Sequence, residues 1–158
     1  MAEGNSRLTV LTIALYWGGV GLGLTLPWLI HLGHEVYGRN VPLRTALQRF
    51  GMELLAPGYN LFLVGVFNAV PFVLLSVFLL FHLGTAPPHG AVTVARRVAG
   101  VAGAWLAALG LSLWVHLSLA LHPDAQGALA VLFLPFYVFL LMLAGYGCGR
   151  LISRLWAH

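Results

Sequence analysis

GHEVYGRNVPLRTALQRFGMELLAP, residues 33–57, is the one long stretch of this chain that mixes charge, polarity and helical patterning. It holds three of the eight arginines (Arg39, Arg44, Arg49) and two of the four acids (Glu35, Glu53). Leu43, Leu47, Phe50 and Leu54 recur at helical spacing, with Arg44, Thr45, Gln48 and Arg49 on the other side, the pattern of an amphipathic helix. Asn40 is the expected N-cap, with Pro42 in the first turn, where its missing N–H costs nothing. Ala56-Pro57-Gly58 ends the segment, and Arg49 and Glu53 stand four apart, at ion-pair spacing. A helix over about residues 41–55 is too short to cross a bilayer. Its expected seat is the interface, apolar face down.

The chain on either side of this stretch reads as lipid-soluble. Hydrophobic residues make up 60% of the 158 and charged residues 8%, against roughly 25% charged in soluble domains. Residues 8–30, 61–81, 98–121 and 128–149 form four uncharged runs of 21–24 residues, each long enough to cross a bilayer. The first run exceeds the apolar core of a signal peptide and has no small-residue cleavage pattern, so it reads as a retained span. Pro71 inside the second run leaves the Phe67 carbonyl in need of another partner. Neither a repeat nor a linker divides the chain. The fold class expected is all-α and integral to the membrane: one domain, residues 1–158, with four transmembrane helices in an antiparallel bundle plus the interfacial helix.

Short connectors put Arg7, Arg96, Arg97, Arg150 and Arg154 on one side and Arg39, Arg44 and Arg49 on the other. The positive-inside bias then makes both termini cytoplasmic in a bacterial-type plasma membrane, although a basic interfacial helix pulls the other way. The net charge of +4 is scattered over helix ends rather than gathered in a stripe. That points to lipid headgroups as partners and not to nucleic acid. Cys148 is the only cysteine, which excludes an internal disulfide and a CxxC redox pair. Between Gly147 and Gly149 it reads as a small packing residue. No acid falls inside a span, and neither a Gly-x-Ser-x-Gly elbow nor a dense histidine box is present.

What remains for chemistry is a small set of polar residues. His31, His34 and Glu35 stand at i, i+3 and i+4, a spacing that presents two imidazoles and a carboxylate to a metal if one helical face continues. Gly33 is expected to interrupt that face, and His122 and Asp124 join the same side of the membrane. His116 lies about 7–8 Å inside its helix end. It continues a small-residue row of Gly100, Ala104, Ala108 and Ser112, the kind of ridge that faces other helices. Asn68 and Tyr137 sit at similar depth, and polar groups in hydrocarbon turn inward and pair. The expected binding layer is therefore Asn68, Ser112, His116 and Tyr137, with His31 as a further candidate at that end. Trp28, Tyr37 and Tyr59 suit one aromatic belt and Tyr146 and Trp156 the other. Tyr16, Trp17 and Trp105 lie too deep for a belt and read as packing residues.

Three functions fit this set. The leading one is a non-catalytic accessory or structural subunit that packs with partner helices, lipid or its own copies and carries no cofactor. A second is a haem- or metal-binding redox bundle using His116 and His31. A third is a small oligomeric transporter or channel lined by Asn68, Ser112 and Tyr137.

Overall fold

Apolar segments become helices in lipid because the solvent offers their N–H and C=O groups no partner. The computed structural model describes residues 2–57, 60–84, 91–123 and 126–156. They form α1 (Ala2–Gly33), a π-turn (His34–Gly38), α2 (Leu43–Glu53), α3 (Leu61–Gly84), α4 (Ala91–Leu121) and α5 (Gly127–Leu155). Among the described residues there is no strand. Leu61–Phe78 in α3, Ala95–Leu121 in α4 and Leu129–Leu155 in α5 are long and apolar enough to cross a membrane, the build of an integral membrane protein.

The helices run past the uncharged stretches. α4 begins at Ala91 and α5 continues to Leu155, so Arg96, Arg97, Arg150 and Arg154 all lie on helix. Arginine is a good helix former, and main-chain hydrogen bonding does not stop where hydrocarbon stops. The regular α-helix ends at Gly33, the interruption expected there, without a break in the backbone path. Gly33 stays in the right-handed helical region and leads into the π-turn. Asn40 is not the N-cap of α2. Pro42 takes that position without a side-chain bond, and Asn40 adopts φ 54°, a left-handed conformation that asparagine tolerates. That residue turns the chain from the π-turn into α2.

Two antiparallel pairs, α1 with α3 and α4 with α5, make the most extensive contacts, and α3 meets both helices of the second pair. Small residues let each pair close. A Cβ on Gly19 would lie 2.7 Å from Ser76 Oγ, and one on Gly23 would lie 2.7 Å from Phe72. Between α4 and α5 the fit is tighter: a Cβ on Gly103 would stand 2.2 Å from the Gly145 carbonyl oxygen. The core between the pairs is built from Phe72 and Leu75, Ala104 and Ala108, and Leu134 and Val138. Large apolar side chains such as Trp17, Leu106, Trp114 and Phe136 point outward, as lipid permits. Cys148 is exposed rather than packed, because Gly145 and Gly149 are the α5 residues turned to α4.

Candidate functional site

α1 supplies the first part of the site through a proline. Pro27 has no N–H, so the Gly23 carbonyl four residues earlier loses its usual helical donor. Asn68 of α3 fills the gap: its Nδ2 donates to the Gly23 oxygen at 2.6 Å. The other amide atom is also engaged, since the Asn68 Oδ1 lies 3.2 Å from His116 Nε2 on α4. With the oxygen accepting, Nε2 of the imidazole is the donor. Asn68 is 1% exposed and His116 6%, so three helices are tied by one buried amide.

The other members of the expected layer do not all reach this amide. Ser112 is fully buried on the His116 face, one helical step of four residues away, and its Oγ has no hydrogen-bond partner. Tyr137 is 62% exposed and lines a shallow apolar groove of about 610 Å³ between α4 and α5, with Trp114, Leu134 and Leu140. Depth alone placed it in the layer, whereas Val138 and Leu134 are the α5 residues that face the core. His31 is also elsewhere: its Nε2 stands 2.8 Å from Glu53 Oε2.

That contact belongs to a charged clamp that seats α2. Glu35 is buried and receives Arg39 Nη1 at 2.6 Å and Arg49 Nη1 at 3.2 Å. Arg49 therefore pairs with the π-turn and not with Glu53. Hydrogen bonding from i to i+5 widens the turn and breaks the spacing that would have aimed His31, His34 and Glu35 at one metal. Among the described residues, no three His, Cys, Asp or Glu come together to hold an ion; Asp124 lies outside them. α2 turns Ala46, Phe50 and Glu53 toward the bundle, with Phe50 against Trp28 at a 6.1 Å ring separation. Leu43 and Leu47 stay exposed, about a quarter turn from that face at 100° per residue. Trp28 is held inward by its Nε1, which donates to the Leu61 carbonyl at 2.7 Å. Tyr37 is exposed, and Tyr59 lies outside the described residues.

Burial alone would raise the Glu35 carboxyl, but Arg49 and Arg39 outweigh it and hold the group below its ordinary value of 4.5. A depressed carboxylate stabilises the fold fully above that value and loses the contribution as pH falls through its lower folded value. The Glu35 contribution is therefore flat from neutrality down to about pH 4.5 and weakens below it. The effect is about 1 kcal/mol, because both arginines are half-exposed. A spin label on the exposed Gln48 is expected to gain mobility only under acid. Glu35→Gln is expected to show that mobility at every pH.

The opposite end of the bundle holds an arrangement that periodicity did not single out. The Tyr146 hydroxyl of α5 and His82 Nε2 of α3 are 2.8 Å apart, and Arg97 Nη1 donates to the His82 carbonyl at 3.1 Å. Phe78 stacks on the His82 ring at 5.0 Å, and the Arg150 guanidinium lies 5.8 Å from the Tyr146 ring centre. His82, beyond the apolar part of α3, is shifted below 6.5 by burial first and then by Arg97 and Arg150. Gly100 makes the room, since a Cβ there would meet Tyr146 at 2.7 Å and Arg150 at 2.8 Å. The i, i+4 spacing of Tyr146 and Arg150 was a usable signal in the sequence. The connector position of His82 hid its partner.

Comparison with family models, with curated proteins and with solved structures finds no match to the chain.

Proposed function

We propose that the protein is a non-catalytic, multi-pass membrane subunit that packs with partner helices, lipid or copies of itself. The observation that carries this reading is the use of Asn68. Its amide is spent on the Gly23 carbonyl and on His116, so the polar groups in the apolar layer fasten α1, α3 and α4 to one another. A redox bundle would need histidines converging on one centre, but His31 sits at Glu53 and His116 at Asn68. A conduction path would need the polar layer to reach the surface, but Asn68, Ser112 and His116 are all buried.

α1 is the fourth span in this proposal. Leu8–Ile30 carries no charge, and Gly19, Gly23 and Trp28 pack it along α3, itself apolar enough to cross. The chain then lies in a bacterial-type plasma membrane with both termini cytoplasmic, α2 at the outer interface and its Leu43–Leu47 face in lipid. In a Cys148→Ser background, single cysteines at Ser6 and Ala86 are expected to label from the cytoplasm. Those at Gln48 and Gln126 are expected to label from outside.

The functional test uses the wild-type spectrum with His116→Gln as control. Glutamine keeps a donor for Asn68, so the variant is expected to fold with a loss near the membrane hydrogen-bond average of about 0.6 kcal/mol. The purified wild-type protein is expected to carry no stoichiometric haem or metal by visible absorption and elemental analysis. A stoichiometric pigment or ion that disappears in His116→Gln replaces the scaffold reading with the cofactor one.

A further inference from the structure

Among the described side chains, the end of the bundle around His82 presents cationic charge without an answering carboxylate. Arg97 and Arg150 both lie close enough to His82 to act on its ionisation. Arg97 is held by the His82 carbonyl, and Arg150 is held over Tyr146 by the space at Gly100. The imidazole between them is paired with the Tyr146 hydroxyl and adds no negative charge. The two carboxylates whose side chains are described, Glu35 and Glu53, are committed at the far end of the bundle. Among the described side chains, no counter-charge stands at this end. The Arg150 Nε is moreover buried with no hydrogen-bond partner, a donor that ordinarily finds an acceptor. Charges held between membrane helices are normally paired, and an anionic group from the surroundings would supply a partner for this pair.

Depth identifies the partner. The apolar stretch of α3 closes at Phe78 and the uncharged runs of α4 and α5 are residues 98–121 and 128–149, so His82, Arg97 and Arg150 stand at the edge of the apolar stretches, at the level of lipid headgroups. Guanidinium forks match phosphate oxygens geometrically, and basic pockets between helices at this depth suit anionic headgroups. We infer that Arg97 and Arg150, set by His82, Tyr146 and Gly100, bind the phosphate of one anionic phospholipid at the junction of α3, α4 and α5. The site rests on the membrane reading of these three helices and gives the proposed lipid partner a definite address.

Native mass spectrometry of the full-length protein in neutral detergent, titrated with phosphatidylglycerol or phosphatidylcholine, tests the site. One phosphatidylglycerol is expected to be retained per chain, in preference to phosphatidylcholine. Arg97→Gln and Arg150→Gln are each expected to weaken retention about tenfold or more. Arg150→Lys, which keeps the charge and loses the fork, is expected to fall between. Arg44→Gln, on α2 at the opposite end, is expected to leave retention unchanged. Circular dichroism of Arg150→Lys separates lost binding from lost fold. Competition with inorganic phosphate distinguishes the sources: failure to displace the lipid supports a headgroup site, and full displacement overturns the lipid in favour of a free phosphate. Equal retention of both lipids, or an equal loss in Arg44→Gln, overturns the site. Sided labelling reports separately on whether the helices cross, so a spanning chain that does not select phosphatidylglycerol fails here alone.

Discussion

Gly103→Ala is expected to force α4 away from α5 and to cost about 3 kcal/mol, the upper part of the usual range for overpacking. The added methyl would stand 2.2 Å from the Gly145 carbonyl oxygen and 3.3 Å from the Gly149 Cα. These are backbone atoms, so no rotamer change relieves the overlap and one whole helix must move. Gly149→Ala meets the Ala99 oxygen at 2.1 Å and is expected to act alike. Because both changes open one seam, the double variant is expected to cost less than the sum. Gly110→Ala is the control. No atom lies within 4 Å of its added Cβ, and alanine's better helix propensity leaves it neutral or more stable by up to about 1 kcal/mol. Unfolding in graded sodium dodecyl sulfate reads all four. Equal losses at Gly103 and Gly110 would remove the argument for close backbone packing.

Asn68→Leu is the second large effect, at about 2–3 kcal/mol. Membrane hydrogen bonds average only about 0.6 kcal/mol when the groups set free find new partners. Here two groups are stranded together: the Gly23 carbonyl, which Pro27 cannot serve, and the His116 Nε2 donor. Leaving a buried polar group unpaired costs about 1–3 kcal/mol. Adding His116→Leu to Asn68→Leu removes the stranded imidazole, so the double variant is expected to recover part of the loss. In the same assay, a double variant that falls by the sum of the two single losses would show that the amide and the imidazole act independently.

Much of the fold was legible because hydropathy is a local property. Four uncharged runs and the requirement that lipid-exposed backbone satisfy itself lead to long helices with little room for alternatives. α2 followed from its stripe, and the inward use of Asn68 and His116 followed from the cost of polar groups in hydrocarbon. The boundaries were less legible, since Arg96, Arg97, Arg150 and Arg154 extend helices that hydropathy alone would end. The orphaned Gly23 carbonyl had a sequence signal, Pro27 four residues on, of the same kind as Pro71 and Phe67. Its donor, 45 residues away on another helix, had none.

The sequence by itself therefore determined the helical class, the apolar stretches and the depth of each polar residue along its own axis. Tertiary structure decided which way each helix is rotated, and with that every partnership. Rotation depends on which small residues interlock across the seams. Gly145 and Gly149 against Ala99 and Gly103 turn Tyr137 outward. Gly100 lets Tyr146 and Arg150 lie on α4 and reach the His82 corner. The π-turn swings Glu35 to Arg39 and Arg49 in place of the metal-ligand face its spacing offered. Depth is counted along one chain, but a partner is chosen across the space between two, where a single missing Cβ decides how closely and at what angle the helices meet.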